Sequence, residues 1–141
     1  MRIYCGTDIV LVKRMANIIA PKEDGSLPSF VTRCFTDKEI EYCMRSSNLD
    51  KRAESFAGRF ATKEAVAKAL GTGVMTMGIG FTDIETINDE SGAPKVKLYG
   101  KARSKAQELK AVSISVSISH DGDYAISYCT ILSEDSEDEP V

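Results

Sequence analysis

Two carboxylates and a lysine stand in settings that suggest chemistry. Asp8 interrupts residues 3–10, a run otherwise rich in β-branched residues. A carboxylate there is costly to bury unless it is paired or bound to a cation. In Lys63-Glu64-Ala65-Val66-Ala67-Lys68, Glu64 and Lys68 lie four residues apart and share one helical face. Glu64 could bind a metal ion while Lys68 neutralises phosphate oxygens, and Arg59, earlier on the same helix, could reach another phosphate. Each feature also has an ordinary reading. Asp8 could mark the strand's exit and cap the next helix, and Glu64 with Lys68 could form a surface ion pair contributing about 0.3–0.5 kcal/mol.

Weaker signals lie further along. The stretch from Gly71-Thr72-Gly73 to Gly78-Ile79-Gly80 holds four glycines and could present backbone N–H groups to phosphates. It matches neither a Walker A loop nor a GxGxxG turn. His120, the single histidine, falls at a predicted strand end, a setting that suits a hydrogen-bonded turn residue as well as a catalyst. No Ser/His/Asp or Cys/His arrangement stands out, so a nucleophile, where one is required, would belong to the substrate.

The elements that must position these residues follow from pattern. Residues 3–10 read as a buried strand. Leu11, Met15, Ile18 and Ile19 then recur at helical spacing until Pro21 stops the helix, and residues 22–28 read as an exposed loop. Thr36-Asp37-Lys38-Glu39 is a capping box that predicts a helix to about residue 45. After a polar break at 46–51, residues 52–70 predict the longest helix, with Phe56, Phe60 and Val66 offering an apolar face among alanines. Gly71 supplies its stop. Strands are predicted at 83–87, 95–99, 112–119 and 124–131, with a short helix at 101–109. Val112, Ile114, Val116 and Ile118 alternate with serines, and Asp121-Gly122 marks a hairpin. This order predicts an α+β fold, an antiparallel sheet with a long central helix.

Composition narrows the class. A chain of 141 residues suits one domain with a real core. No apolar run approaches the roughly 20 residues that cross a bilayer, and the N-terminal residues lack signal-peptide features, so a cytoplasmic location and no membrane partner are expected. Cys5, Cys34, Cys43 and Cys129 form no CxxC pair and read as reduced, structural thiols. Five acidic residues lie in the last eight, so the formal charge of −3 conceals a mildly basic body. The expected division is a folded domain over 1–132 and a disordered acidic tail over 133–141. The basic residues form no dense, aromatic-interleaved cluster, which disfavours nucleic acid.

Together these segments resemble the holo-acyl-carrier-protein synthase family of phosphopantetheinyl transferases. The resemblance is carried by Gly6-Thr7-Asp8-Ile9-Val10, by the run from Glu54-Ser55-Phe56-Ala57-Gly58-Arg59 through Lys63-Glu64 to Gly71-Thr72-Gly73, by Asp83-Ile84-Glu85, and by Ser117-Ile118-Ser119-His120. It spans about residues 3–131. It implies transfer of 4′-phosphopantetheine from coenzyme A to a serine of apo-acyl carrier protein, releasing adenosine 3′,5′-bisphosphate, in support of fatty acid biosynthesis. By that resemblance Asp8 and Glu64 would be magnesium ligands, and Lys68 would stabilise charge on the pyrophosphate. Arg59 and His120 would bind the 3′-phosphate end, with Ser55, Gly71, Thr72 and Gly73 completing the coenzyme A pocket. Lys13, Arg14 and Arg33 are candidates for docking the acidic carrier protein. A homotrimer with active sites between subunits is implied as well. Phe81 stands where the family often has Trp, and the acidic tail is outside its pattern.

Overall fold

The computed structural model of the chain describes residues 1–73 and 78–135. Strand β1, Arg2–Leu11, passes directly into helix α1, Val12–Ile19. A short helix α2, Ser29–Cys34, follows the loop and buries Val31 and Cys34. Its six residues are too few to show a helical period, and the sequence gives it no other signal. Helix α3, Asp37–Met44, begins at the expected capping box. Thr36 Oγ1 accepts from Glu39 N at 3.3 Å, and Thr36 N donates to Glu39 Oε1 at 3.1 Å.

Helix α4, Leu49–Ala69, starts earlier than the polar break suggests, because the Asn48 side chain accepts from Lys51 N at 3.1 Å and caps it. A 3₁₀ turn at Phe81–Asp83 leads into the hairpin of β2, Ile84–Asn88, and β3, Pro94–Leu98. Helix α5, Gly100–Glu108, precedes β4, Ala111–His120, and β5, Tyr124–Ser133. The main sheet is antiparallel in the order β1-β5-β4, packed on α4, as expected. Among the described residues no helix is long and apolar enough to cross a membrane.

The central helix is wrapped rather than one-sided. Residues from Ala53 to Ala69 are buried around most of its circumference, and two cores form along it. One gathers Met15, Val31, Phe35 and Phe56; the other gathers Val66, Leu70, Ile84 and Ile131. Small residues make this possible. A Cβ on Gly6 would lie 2.1 Å from Ala65 O and 2.7 Å from Ala69 N, so β1 presses directly against the helix backbone. Inside the contact, Thr62 Oγ1 and Ser127 Oγ are 2.9 Å apart, a hydrogen bond joining α4 to β5.

Two expectations change. Val112 does not join the inner face of β4; it lies in a register irregularity between Ala111 and Ser113 and is 51% exposed. β5 continues through Ser133, which is buried with its hydroxyl donating to Leu109 O, and Glu134 N donates to Lys110 O at 3.1 Å. Ordered packing thus extends past residue 132, while 136–141, the rest of the expected acidic tail, lie outside the described residues. The four thiols are unpaired, and Cys34, Cys43 and Cys129 are buried whereas Cys5 is exposed. Burial pushes the Cys43 and Cys129 thiols up to about 12, which keeps them protonated.

Candidate active site

Asp8 lies on the face of β1 that meets α4, three residues before the strand ends. Leu11 occupies the N-cap of α1, where no side chain caps, so the capping reading of Asp8 does not hold. The carboxylate instead lines a cleft of about 530 Å³ with Glu64 from α4. Arg14, Met15 and Ile18 of α1, the last three residues of β1, and Phe30, Phe60 and Tyr124 form the rest of its wall. Lys68 reaches across from α4 to β1, its Nζ 2.9 Å from Thr7 O and 3.2 Å from Asp8 Oδ1. Burial, and then the Asp8 charge, raise the pKa of Glu64 above its ordinary value, with Lys68 opposing.

That electrostatic arrangement fits a divalent cation. Two carboxylates from separate elements face one open cleft, and one of them is destabilised in its charged form. Among the described residues no group of three or more His, Cys, Asp or Glu could hold a metal. A site of two carboxylates suits magnesium, which commonly takes one or two together with water and substrate phosphates.

Arg59 faces elsewhere. Five residues from Glu64, it is turned roughly 140° around the helix axis, and it lines a second cleft of about 290 Å³ with Ser55 and His120. Its guanidinium donates to Asn88 Oδ1, and its Cζ stands 3.8 Å from the centroid of the Tyr42 ring. Its Nε is buried without a hydrogen-bond partner. Arg45 lies over the same ring at 3.6 Å. His120 Nδ1 is 3.2 Å from Glu54 Oε2, at the mouth of this cleft.

The remaining candidates are spread more widely. Gly71 takes a φ of +82° just after α4 ends, a conformation that favours glycine. Thr72 N donates to Ala67 O at 3.0 Å, and Thr72 lines a separate cleft of about 210 Å³ with Lys101 and Lys105. Gly73 follows it, and residues 74–77 of that loop lie outside the described residues. Lys13 and Arg14 are exposed on α1 and Arg33 on α2, and Arg14 is the one that reaches the carboxylate cleft. Within one chain, therefore, Asp8, Glu64, Lys68 and Arg14 come together, Ser55, Arg59 and His120 come together, and these two groups remain apart.

Lys63, which is not among the sequence candidates, is fully buried and bonded to Glu39 at 2.6 Å. Burial lowers its pKa, and the Glu39 charge opposes that shift. A signal was present: Lys63 falls between Phe56 and Val66 at helical spacing, on the apolar stripe itself. Asn88 and Tyr42 carried no comparable signal. Phe81 stacks on Phe60 with centroids 5.3 Å apart.

Comparison with known proteins agrees with this architecture. A family model described as the 4′-phosphopantetheinyl transferase superfamily matches residues 4–129. A holo-[acyl-carrier-protein] synthase of Clostridium tetani is 48% identical over 92% of this chain and 94% of its own length. One from Caldicellulosiruptor saccharolyticus is 45% identical over 92% and 95%. Among solved structures, the Helicobacter pylori holo-[acyl-carrier-protein] synthase in complex with coenzyme A superposes with a TM-score of 0.73 at 30% identity, covering 91% of this chain and 99% of that one. A Plasmodium yoelii acyl carrier protein synthase with ADP bound gives 0.76 at 31% identity, covering 94% and 96%. The chain belongs to the 4′-phosphopantetheinyl transferase superfamily, among the holo-[acyl-carrier-protein] synthases.

Proposed function

We propose that this chain transfers 4′-phosphopantetheine from coenzyme A to a serine of apo-acyl carrier protein and releases adenosine 3′,5′-bisphosphate, in support of fatty acid biosynthesis. The observation that carries this reading is the meeting of Asp8 and Glu64 in one cleft that Arg14 also lines, with Lys68 bonded to Asp8. No nucleophile of the chain itself is needed, because the serine hydroxyl comes from the carrier protein. Its oxygen forms a bond to the phosphorus bearing pantetheine as the pyrophosphate P–O bond breaks, and the electron pair leaves with the bisphosphate.

Asp8 and Glu64 would hold magnesium, which when bound would neutralise the pyrophosphate and orient it for in-line attack. Lys68, bonded to Thr7 O and Asp8, would meet negative charge developing on the leaving phosphate. Glu64 or a water in the site would take the serine proton. Arg14, which lines the cleft, with Lys13 and Arg33, exposed on α1 and α2, would offer positive charge to an acidic carrier protein.

The separation of the two clefts supports a homotrimer with shared sites. The outer face of the main sheet exposes Ile3, Ile9, Tyr124, Ile126 and Tyr128, each at least 43% accessible. Such a face is apolar enough to bury against a second copy. Packing one subunit's Ser55, Arg59 and His120 opposite its neighbour's Asp8 and Glu64 would assemble the full coenzyme A site. The Helicobacter pylori relative is a complex with coenzyme A, in keeping with this ligand.

The test is direct. Incubation with apo-acyl carrier protein, coenzyme A and Mg²⁺ should add one phosphopantetheine to the carrier by mass spectrometry. A folded sample that transfers nothing overturns the proposal.

A further inference from the structure

The buried Lys63–Glu39 pair stands at a junction of α3, α4 and β2 that has two layers. In the inner layer, Lys63 Nζ bonds Glu39 Oε1 at 2.6 Å, Phe81 O at 2.9 Å and Ile84 O at 2.5 Å. Glu39 Oε2 also accepts from Thr86 N at 3.2 Å, and Oε1 from Thr36 N at 3.1 Å. One ion pair thus ties the backbone of β2 to both helices. The outer layer repeats the same three elements one step along. Tyr42 is one turn beyond Glu39, Arg59 is one turn before Lys63, and Asn88 is two residues beyond Thr86 on β2.

These three outer side chains meet: Arg59 donates to Asn88 and lies over the Tyr42 ring. Asn88 is held in turn by donating to Gly92 O at 2.9 Å. Together they floor the smaller cleft. A shift of β2 relative to α4 would therefore move Asn88 off Arg59 and leave the guanidinium without its aim.

We infer that Lys63 and Glu39 are positioning residues for the phosphate-bearing nucleotide end of coenzyme A. They act by setting β2 against α3 and α4 so that Asn88 and Tyr42 hold Arg59 toward the ligand. The inference rests on the proposed function, since it takes the smaller cleft as the nucleotide site. A buried pair with only a packing role would affect stability alone. A pair that aims Arg59 also sets the preference for the 3′-phosphate, and that difference can be measured.

Titration calorimetry compares adenosine 3′,5′-bisphosphate with adenosine 5′-monophosphate on the full chain. The wild type should prefer the bisphosphate. Lys63→Met should weaken the bisphosphate by roughly tenfold or more, the scale on which supporting partners act, and leave the monophosphate nearly unchanged. In turnover the same variant should raise KM for coenzyme A far more than it lowers kcat. Where Lys63→Met does not fold, Glu39→Gln/Lys63→Met removes both charges together and serves in its place. Adding Lys63→Met to Asn88→Ala should then have little further effect on the preference, because both act through Arg59. A folded variant that keeps the wild-type preference overturns the positioning role. A wild type with no preference overturns the nucleotide assignment of the cleft, and the inference with it.

Discussion

Glu64 carries two conflicting demands, which is where its role can be tested. Half-burial beside Asp8 raises its pKa from 4.5, so its charged form is disfavoured in the folded state. Its contribution to stability is complete below the unfolded-state value and is lost as pH rises through the folded value. Glu64→Gln should therefore melt at a higher temperature than the wild type in metal-free buffer at pH 8, with the gap closing as pH falls toward 4.5. A lower melting temperature for the variant at pH 8 contradicts this electrostatic account. Mg²⁺ should raise the wild-type melting temperature and leave that of Glu64→Gln almost unmoved. Turnover should respond in the opposite sense: Glu64→Gln and Asp8→Asn should each abolish metal-dependent transfer while remaining folded by circular dichroism. Both variants retaining full activity would remove the metal assignment.

The central helix and β1 depend on contact at backbone distance. A methyl at Gly6 would meet Ala65 O and Ala69 N, neither of which can rotate away. Gly6→Ala should cost about 1–3 kcal/mol or more, a fall of roughly 3–10 °C in the melting midpoint. At Gly58 the corresponding methyl would meet Ile118 Cγ2 at 2.8 Å, a side-chain atom with more freedom to give. Gly58→Ala should therefore destabilise less, and equal losses in parallel thermal melts would count against the close-approach argument. The same elements show what pattern reveals and what it hides. The capping box of α3 was legible because its two bonds span only three residues. The second use of Glu39, as the partner of Lys63 24 residues away, was not, because a local motif says nothing of distant contacts.

At the scale of the molecule, the separation of Glu64 from Arg59 makes a prediction about assembly. Glu64→Gln and Arg59→Ala should each be inactive alone. Mixed and allowed to exchange subunits, they should recover about a quarter of the wild-type rate, since random assortment pairs the two intact halves at that frequency. No recovery in demonstrably mixed oligomers would place both residues in a site within one subunit. Placing a charge on the exposed sheet face, as in Tyr128→Asp, should shift the protein to monomer in sedimentation analysis and abolish transfer. A trimer unchanged by that substitution would mean the subunits meet elsewhere.

The sequence alone determined the fold class and most element positions, and it pointed to Asp8, Glu64 and Lys68 as candidates. Strand alternation, helix period and capping are local patterns, and the long motif around Lys63-Glu64 carried a family resemblance. Only the tertiary structure decided which of those residues share a cleft. It placed Lys68 against Asp8 by crossing from α4 to β1, and it turned Arg59 toward α3 and β2. It also buried Lys63 beside Glu39, so that a lysine among polar neighbours in the chain became the charge at the centre of a three-element junction. The physical reason is common to all three. Spacing along one helix gives direction around its axis, but the partner that waits there is set by how distant strands and helices pack.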